Sequence, residues 1–245
     1  MSKKLKLGVV GDPIEHSLSP FIHSRFSRNE NVNINYLAYK VSNDDFHIFI
    51  KEFFQDKEAK GLNITLPHKK RAAKIEGVVS QEAQYINAVN TIVNQDKMLH
   101  LFSTDGVGFI NDIENKKFNL KNKNILIIGA GAAVESILYR VAKAKPKKIT
   151  ITNRTPEKAD RLIRKFSNMT KIKSEVDLEE PFDLVINGSS AGLTGDFFPE
   201  EKITTTTQTH FYDLNYSLTE TPFCKWANEK SENVYDGMGM LVYQA

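Results

Sequence analysis

The chain has 245 residues, of which 33 are lysine or arginine and 30 are aspartate or glutamate, so the net charge is only +3. This weak charge, with no aromatic ladder beside the lysines, argues against nucleic acid as a partner. The single cysteine, Cys224, excludes an intramolecular disulfide and favours a reducing compartment, so we expect a cytoplasmic protein. No apolar run approaches the length of a membrane span, and the N-terminus lacks a signal-peptide core.

Strand-like and helix-like segments alternate nearly throughout, which predicts an α/β fold with mostly parallel sheets. In the first half the pattern predicts strand 5–10, helix 20–29, strand 34–41, helix 43–55, strand 61–66, helix 68–75 and strand 88–94. Asp96-Lys97 then turns the chain back into a strand at 99–102, so one antiparallel pair is expected there.

The second half repeats this alternation after a helix that follows Thr104-Asp105-Gly106. The predicted elements are strand 124–128, helix 132–143, strand 148–152, helix 156–167, strand 183–187, strand 210–214 and helix 221–229. We therefore predict an N-terminal α/β substrate domain at 1–104, a Rossmann-like dinucleotide-binding domain at 105–236 and a return segment at 237–245. A cleft between two domains is the usual place for a small substrate to meet a cofactor.

A glycine-rich loop, Gly129-Ala-Gly-Ala-Ala133, follows the apolar strand 124–128 and opens a helix. The motif is weak alone, because Val134 stands where a third glycine or an alanine is usual. About 20 residues after the glycines, an NAD site usually has an acidic residue, but this chain has Asn153-Arg154-Thr155. A guanidinium suits a ribose 2′-phosphate, so the unit favours NADP(H). The alternative is a tight turn that binds nothing, with Arg154 as a solvated cation.

The residues after Arg154 predict the start of a helix. Thr155 can be its N-cap, Pro156 fits the first position, and Glu157 lies in the first turn. The free N–H groups of such a helix start can bind an anion.

Polar side chains also mark the first domain. Ser17 and Ser19 could bind a carboxylate through their hydroxyl groups, although Ser19-Pro20 is also an ordinary helix start. In a strand, Asn63 and Thr65 would share a face of an otherwise apolar segment, and two such polar groups need partners. Lys69 follows that strand, at the end where α/β sites gather, but a solvated surface lysine is the alternative.

Asn90 lies in an apolar strand context, and Asp105 follows Ser103-Thr104. Asp105 either caps the next helix or faces Lys69 as an acid/base pair. In such a pair the carboxylate would hold the ammonium in place, and the lysine would exchange a proton with an oxygen undergoing hydride chemistry. The histidines do not form a convincing metal-ligand set with nearby carboxylates, so no metal is expected.

Seven segments, in chain order, resemble the shikimate dehydrogenase family. They are Pro13-Ile-Glu-His-Ser-Leu-Ser-Pro20, Asn63-Ile-Thr-Leu-Pro-His-Lys69, Ala88-Val-Asn-Thr91, Thr104-Asp-Gly106, Asn153-Arg-Thr155, Asn187-Gly-Ser-Ser-Ala-Gly192 and Gly237-Met-Gly-Met-Leu-Val-Tyr-Gln-Ala245. The resemblance implies the shikimate-pathway step of aromatic amino acid biosynthesis, the reversible NADPH-dependent reduction of 3-dehydroshikimate to shikimate. It also implies a monomer or homodimer whose partners are small molecules.

The resemblance implies roles for individual residues. Lys69 and Asp105 would be the catalytic pair. The substrate carboxylate would be held by Ser17, Ser19 and Tyr216, and the ring hydroxyls by Thr65, Asn90, Asp105 and Gln244, with Asn63 in support. The cofactor would be held by Gly129, Ala130, Gly131, Ala132, Ala133, Asn153, Arg154, Thr155, Lys158, Leu214 and Gly237, with Gly237 approaching the nicotinamide.

Departures from the family pattern carry further expectations. Ala132 adds a methyl group near the phosphates, and Glu135 stands where the family often has arginine, so weaker cofactor binding is expected. Residues 237–245 would lack the final helix that the family usually has. The alternatives to an NADP-dependent enzyme are a quinate/shikimate dehydrogenase that prefers NAD and a non-catalytic protein that binds NADP or shikimate.

Overall fold

The computed structural model describes residues 4–175, 180–189, 197 and 202–245. The chain divides into two compact units, Met1–Thr104 with Ala245, and Asp105–Gln244. The mixed α/β architecture and the predominance of parallel strands confirm the predicted fold class. Within the described ranges, no helix has the length and apolarity needed to cross a membrane.

The first unit alternates strands and helices around one sheet. Its elements are β1 Leu5–Gly11, α1 Ser19–Asn29, β2 Ile34–Lys40, α2 Phe46–Phe53, β3 Ala59–Ile64, α3 Lys69–Ala72, β4 Val78–Val79, α4 Gln81–Ile86, β5 Thr91–Gln95 and β6 Met98–Phe102. The strand order is β2-β1-β3-β5-β6-β4. β1 pairs in parallel with β2 and β3, whereas β5 is antiparallel to both β3 and β6. The predicted antiparallel turn at Asp96-Lys97 is thereby confirmed.

The second unit contains a parallel sheet with helices between its strands. Its elements are α5 Asp105–Asn115, β7 Asn124–Ile128, α6 Ala132–Lys143, β8 Lys148–Thr152, α7 Pro156–Phe166, β9 Ile172–Lys173, β10 Leu184–Asn187, β11 His210–Asp213, α8 Pro222–Asn228, β12 Val234–Tyr235 and α9 Met238–Tyr243. The strand order is β12-β11-β10-β7-β8-β9, the order of a Rossmann sheet. The order reverses between β7 and β10, where such sheets bind ligands at the carboxyl ends of their strands.

The apolar runs explain why these elements form. β7, β8 and β10 are nearly all buried, as expected for parallel strands covered on both faces. In the first unit, α2 packs Phe46, Ile50 and Phe53 onto the sheet, and those residues recur at helical spacing.

Some predicted boundaries are wrong. β3 ends at Ile64, so Thr65 lies just beyond the strand and does not share a strand face with Asn63, although its N–H still bonds the Val10 carbonyl. β5 begins at Thr91, which leaves Asn90 immediately before it. Several short elements escaped prediction, namely β4, α4, β9, β12 and α9. They span two to six residues, too few for hydrophobic periodicity to be recognised.

Candidate active site

Lys69 is the first residue of α3, just after the end of β3. Its backbone carbonyl accepts a 3.0 Å hydrogen bond from Val89 N, which ties the lysine to the segment that carries Asn90. The preceding residue, His68, is fully buried; its ring stacks on Phe46 at 4.5 Å and its Nε2 lies 2.8 Å from the Val41 carbonyl. These contacts fix where the lysine side chain leaves the backbone.

Asn90 is the centre of a hydrogen-bond cluster at the ends of β5 and β6. Its side chain, 4% exposed, donates to Thr104 Oγ1 at 3.0 Å and accepts from Thr104 N at 2.8 Å. The Thr91 hydroxyl donates to the same amide oxygen at 3.0 Å. The Asn90 backbone bonds both Ile64 and Phe102, so the residue joins two neighbouring strands. The structure thus places Asn90 beside Thr104, the residue before Asp105.

Asn63 is held by residues that the sequence did not single out. Tyr36 donates its hydroxyl to Asn63 Oδ1 at 2.7 Å, and Asn63 Nδ2 donates to Thr91 Oγ1 at 3.2 Å. The His23 ring lies flat on Tyr36, with centroids 4.1 Å apart. Burial lowers the pKa of His23 and raises that of the Tyr36 hydroxyl. Tyr36 and His23 were missed because an aromatic residue in a strand and a histidine in a helix ordinarily indicate packing.

Ser17 and Ser19 lie together at the start of α1. Ser17 Oγ accepts a 3.3 Å hydrogen bond from Ser19 N. The helix begins at Ser19 itself and its N-cap position is Leu18, so the alternative interpretation of Ser19 as the N-cap is wrong. Ser19 also lies close enough to Tyr36, the donor to Asn63, to act on the pKa of its hydroxyl. The first unit therefore places Ser19, which is hydrogen-bonded to Ser17, near the Tyr36–Asn63 pair.

Asp105 and Gln244 belong to the second unit. Asp105 is the first residue of α5 and is 4% exposed. Gln244 is the C-cap residue after α9, and α9 packs against α5. A Cβ at Gly108 would lie 2.8 Å from Gln244 Cβ and 2.9 Å from Gln244 N, so the glycine allows this approach one turn after Asp105. Because Lys69 lies in the other unit, its pairing with Asp105 stays a prediction.

Leu214 and Gly237, both predicted to contact the cofactor, lie together at the carboxyl end of β11. A Cβ at Gly237 would be 2.5 Å from the Leu214 carbonyl oxygen, so any larger residue would displace the backbone there. Gly237 N donates to Asn215 O at 2.9 Å, which fixes the same approach. Tyr216 follows and is 38% exposed; burial raises the pKa of its hydroxyl.

Asp213, the last residue of β11, holds the backbone next to Leu214 in place, and the sequence did not indicate this role. Its carboxylate, 1% exposed, accepts hydrogen bonds from Asn187 Nδ2 at 2.9 Å, Thr221 Oγ1 at 2.7 Å and Asn215 N at 3.0 Å. Burial raises the pKa of the carboxyl group, and these hydrogen bonds oppose the rise. The network holds the carboxyl ends of β10 and β11 together, next to the boundary between β7 and β10 where the sheet order reverses.

The glycine loop has the backbone that a close phosphate requires. Gly129 has φ +108°, and a Cβ there would lie 2.8 Å from the Gly188 carbonyl carbon. Beside Gly131 there is room, since the nearest atom to a Cβ would be Gly188 O at 4.0 Å. Ala132 and Ala133 are exposed, and Gly131 occupies the N-cap position of α6 without offering a side-chain acceptor. This helix start can therefore direct backbone N–H groups at an anion.

Val134 occupies the position where the motif usually has a small residue, and the structure shows how it fits. The side chain is fully buried, and a Cβ at Gly188 would collide with Val134 Cγ2. The close approach of helix and strand that normally needs a small residue on the helix is thus provided by a glycine after β10.

The segment after β8 is hydrogen-bonded to the glycine loop. Asn153 Oδ1 accepts a 3.0 Å hydrogen bond from Ala130 N in the glycine loop, and Asn153 Nδ2 donates to Thr155 O at 2.7 Å. Arg154, Thr155 and Lys158 are exposed. Thr155 occupies the predicted N-cap position of α7, although its side chain makes no capping hydrogen bond. Two helix starts and two exposed cations thus stand beside an open loop, an arrangement that fits NADP(H).

Glu135 is a buried carboxylate in the first turn of α6. It is 5% exposed and forms ion pairs with Arg161 at 3.0 Å and Lys165 at 2.9 Å. Burial alone would raise the pKa of the Glu135 carboxyl, but the hydrogen bonds and charges of the two cations together lower it. The carboxylate is therefore already matched by two positive charges from α7.

The motif segment 187–192 is described only in part, because residues 190–192 lie outside the described residues. Across the ranges that the structure describes, no group of three or more His, Cys, Asp or Glu side chains could hold a metal ion.

Comparison with protein families gives two matches. Residues 9–92 match the shikimate dehydrogenase substrate binding domain, and residues 112–209 match the shikimate/quinate 5-dehydrogenase family. The NADP⁺ shikimate dehydrogenase of Hahella chejuensis is 39% identical over 241 residues, covering 97% of this chain and 89% of the relative. That of Legionella pneumophila strain Philadelphia 1 is 39% identical over 245 residues, covering 98% of this chain and 90% of the relative.

Solved structures with the same fold include shikimate 5-dehydrogenase from Thermus thermophilus in complex with NADP(H) and shikimate. That structure has a TM-score of 0.86 and 30% identity, and the match covers 98% of this chain and 90% of the other. An Ael1 enzyme from Pseudomonas putida has a TM-score of 0.87 and 34% identity, with 98% of this chain and 90% of the other covered. The predicted family is confirmed: the chain belongs to the shikimate dehydrogenase family.

Proposed function

We propose that the protein catalyses the reversible NADPH-dependent reduction of 3-dehydroshikimate to shikimate, the shikimate-pathway step that leads to aromatic amino acids. Its curated relatives carry the name of this activity, and a similar solved structure contains both NADP(H) and shikimate. The residues of both units fit the chemistry of these two ligands.

In this proposal the first unit binds the substrate through uncharged polar groups. Ser17 and Ser19 hold the carboxylate, together with Tyr216 of the second unit. Thr65, Asn90 and Gln244 bond the ring hydroxyls, with Asn63 in support. An anionic, hydroxyl-rich molecule needs donors and acceptors in fixed positions, and the clusters around Asn63 and Asn90 provide them.

The second unit holds the cofactor. The loop Gly129–Ala133 receives the pyrophosphate at the start of α6, and Asn153, Arg154, Thr155 and Lys158 receive the adenosine side with its 2′-phosphate. Leu214 and Gly237 approach the nicotinamide. When bound, NADPH supplies the hydride. The protein's part is to hold the nicotinamide ring in line with the ketone carbon of the substrate.

Lys69 and Asp105 complete the chemistry. The Lys69 ammonium donates a proton to the substrate oxygen that becomes a hydroxyl, and it takes that proton back in the reverse direction. Asp105 orients the lysine and bonds a neighbouring hydroxyl. Positioning by a carboxylate is effective because it keeps the donor within hydrogen-bond reach of the reacting oxygen.

The observation that carries the proposal is the 3.0 Å hydrogen bond from Val89 N to the Lys69 carbonyl. It ties the backbone of Lys69, the proposed proton donor, to the segment that carries Asn90, and this supports a site for a hydroxyl-rich substrate. The test is the absorbance of NADPH when purified protein is mixed with shikimate and NADP⁺, with NAD⁺ in a parallel reaction. We expect NADPH to form, and we expect NAD⁺ to be used less well because Arg154 gains a partner only in the 2′-phosphate.

No reduction of either nucleotide would contradict the proposal and favour a non-catalytic binding protein. A clear preference for NAD⁺ with quinate would favour the quinate/shikimate alternative. We further propose that the protein works as a monomer or homodimer in the cytoplasm, where a lone thiol such as that of Cys224 persists.

A further inference from the structure

Glu135 is a buried carboxylate close to the glycine loop that the proposed cofactor contacts do not use. It lies in the first turn of α6, only two residues after Ala133, and is 5% exposed. A buried carboxylate is costly unless it is paired and hydrogen-bonded. Here both conditions are met, because Arg161 Nη2 donates to Oε2 at 3.0 Å and Lys165 Nζ donates to Oε1 at 2.9 Å.

The two cations come from the neighbouring helix. Arg161 and Lys165 are four residues apart in α7, so they lie on one face of that helix. Each of them donates to a different oxygen of the Glu135 carboxylate. The carboxylate is nearly inaccessible, whereas the Arg161 side chain is 47% exposed and that of Lys165 26% exposed. The contact therefore anchors the body of α7 to the first turn of α6.

Each of these helices carries one half of the nucleotide site. The glycine loop Gly129–Gly131 leads into α6, and the segment Asn153–Thr155 leads into α7. The hydrogen bond from Ala130 N to Asn153 Oδ1 joins the two loops at their tips. The Glu135 ion pairs join the same two elements again, in the first turn of α6 and the second and third turns of α7, so the segment that holds Arg154 is fixed at two points.

We propose that Glu135 is a positioning residue for the NADP 2′-phosphate: through Arg161 and Lys165 it sets α7, and with it Arg154 and Lys158, against the glycine loop. This inference rests on the proposed NADP(H) site. An acidic residue can favour the binding of an anionic cofactor here, because the Glu135 carboxylate is neutralised by Arg161 and Lys165 and does not face the phosphates.

The test is equilibrium binding of NADP⁺ and NAD⁺ to the full chain by titration calorimetry, for wild type and Glu135→Gln. Glutamine keeps the size and one acceptor but loses the charge that holds two cations. We expect the Kd for NADP⁺ to rise about tenfold and that for NAD⁺ to change less than about threefold, because NAD⁺ has no 2′-phosphate for Arg154 to meet. In turnover, the KM for NADP⁺ should rise while kcat is retained.

Glu180→Gln is the matched control. Glu180 also pairs with lysine, at 3.0 Å from Lys147, and it bonds Asn124 at the amino end of β7, away from the glycine loop. This variant loses a charge of the same kind in the same unit, and its NADP⁺ affinity should equal that of wild type.

Exchanging the charges provides a rescue. In Glu135→Arg with Arg161→Glu, the attraction between the helices returns with opposite signs, and the new carboxylate precedes Lys165 by one turn, a favourable order. We expect NADP⁺ affinity to recover to within about threefold of wild type. Arg161→Gln alone should show the same selective loss as Glu135→Gln, which keeps the test decisive if the double variant does not fold.

Unchanged NADP⁺ affinity in both single variants would overturn the inference, as would an equal loss for NAD⁺ and NADP⁺, which would indicate general damage. Failure of wild type to bind NADP⁺ would instead contradict the proposed function, so the two failures are distinguishable.

Discussion

The Tyr36 hydroxyl donates a 2.7 Å hydrogen bond to Oδ1 of Asn63, across the intervening strand β1. This bond orients the Asn63 amide so that its Nδ2 donates to Thr91 Oγ1 at 3.2 Å. A strand tyrosine thus organises side chains that we propose for substrate binding.

Tyr36→Phe tests this connection. The variant keeps the ring that stacks on His23 but removes the donor to Asn63. We expect the KM for shikimate to rise roughly five- to tenfold, which corresponds to about 1 kcal/mol for one lost hydrogen bond, with little change in kcat. Tyr39→Phe is the control, because Tyr39 lies in the same strand but packs on Phe49 and Phe53. Equal KM values for wild type and Tyr36→Phe would exclude the connection.

Lys69→Ala tests the proposed proton donor. We expect kcat to fall roughly 10²- to 10⁴-fold, the usual contribution of a general acid, while the Kd of shikimate stays within about tenfold of wild type. Steady-state turnover and calorimetric binding separate the two effects. The exposed neighbour Lys70 provides the control, and Lys70→Ala should behave as wild type. Wild-type turnover in Lys69→Ala would remove this lysine from the mechanism.

Gly188→Ala tests the packing of the glycine loop. The added methyl group would collide with Val134 Cγ2 and push the first turn of α6 away from the sheet. Overpacking of this kind costs about 1–3 kcal/mol of unfolding free energy, and NADP⁺ should bind more weakly because the loop moves with the helix. Denaturant unfolding and nucleotide titration measure both effects.

Adding Val134→Ala to Gly188→Ala should recover part of both losses, since it removes the colliding methyl group. The double variant also places alanine at the third position of the glycine motif. If Gly188→Ala were as stable as wild type, the close contact between Gly188 and Val134 would not be a constraint.

His23 should make the stability of the protein depend on pH. Burial holds its pKa below the usual value of 6.5, so the unfolded chain takes up this proton more readily than the folded protein. Its contribution to stability is present above about pH 6.5 and is lost as the pH falls toward the lower, folded pKa. Denaturant unfolding of wild type and His23→Phe between about pH 8 and about pH 5 measures the difference.

Wild type should lose more unfolding free energy than His23→Phe over this range. Phenylalanine can keep the stack on Tyr36 but cannot take up a proton. His210, whose pKa is also lowered by burial, is present in both proteins and therefore cancels in the comparison. Parallel pH profiles for the two proteins would show that His23 does not titrate as its burial requires.

Local patterns were sufficient for much of the fold. The apolar runs that became β7 and β8 and the amphipathic segments that became α6 and α7 have the predicted bounds to within one residue. The two strands were recognisable as short apolar runs with polar or glycine residues beside them, and the two helices are long enough to show their period. Thr155 and Pro156 marked the start of α7 for the same local reason. The two-residue strands had no such signal, since they exist only where neighbouring strands complete their hydrogen bonds, and the six residues of α9 are too few to show a helical period.

Some residues of the candidate site could likewise be predicted from the sequence, whereas others were revealed only by the structure. Candidate residues such as Lys69, Asn90, Arg154 and the glycines could be predicted from residue type and chain order, and their roles stay predictions. The structure alone revealed Tyr36 as the partner of Asn63, Gly188 as the space for Val134, and Arg161 and Lys165 as the partners of Glu135. These partners are 26 to 54 residues apart in the sequence, and only packing of the sheet and its helices brings them together. Chain order thus determined the chemistry available to this protein, whereas tertiary contacts decided which side chains hold it in place.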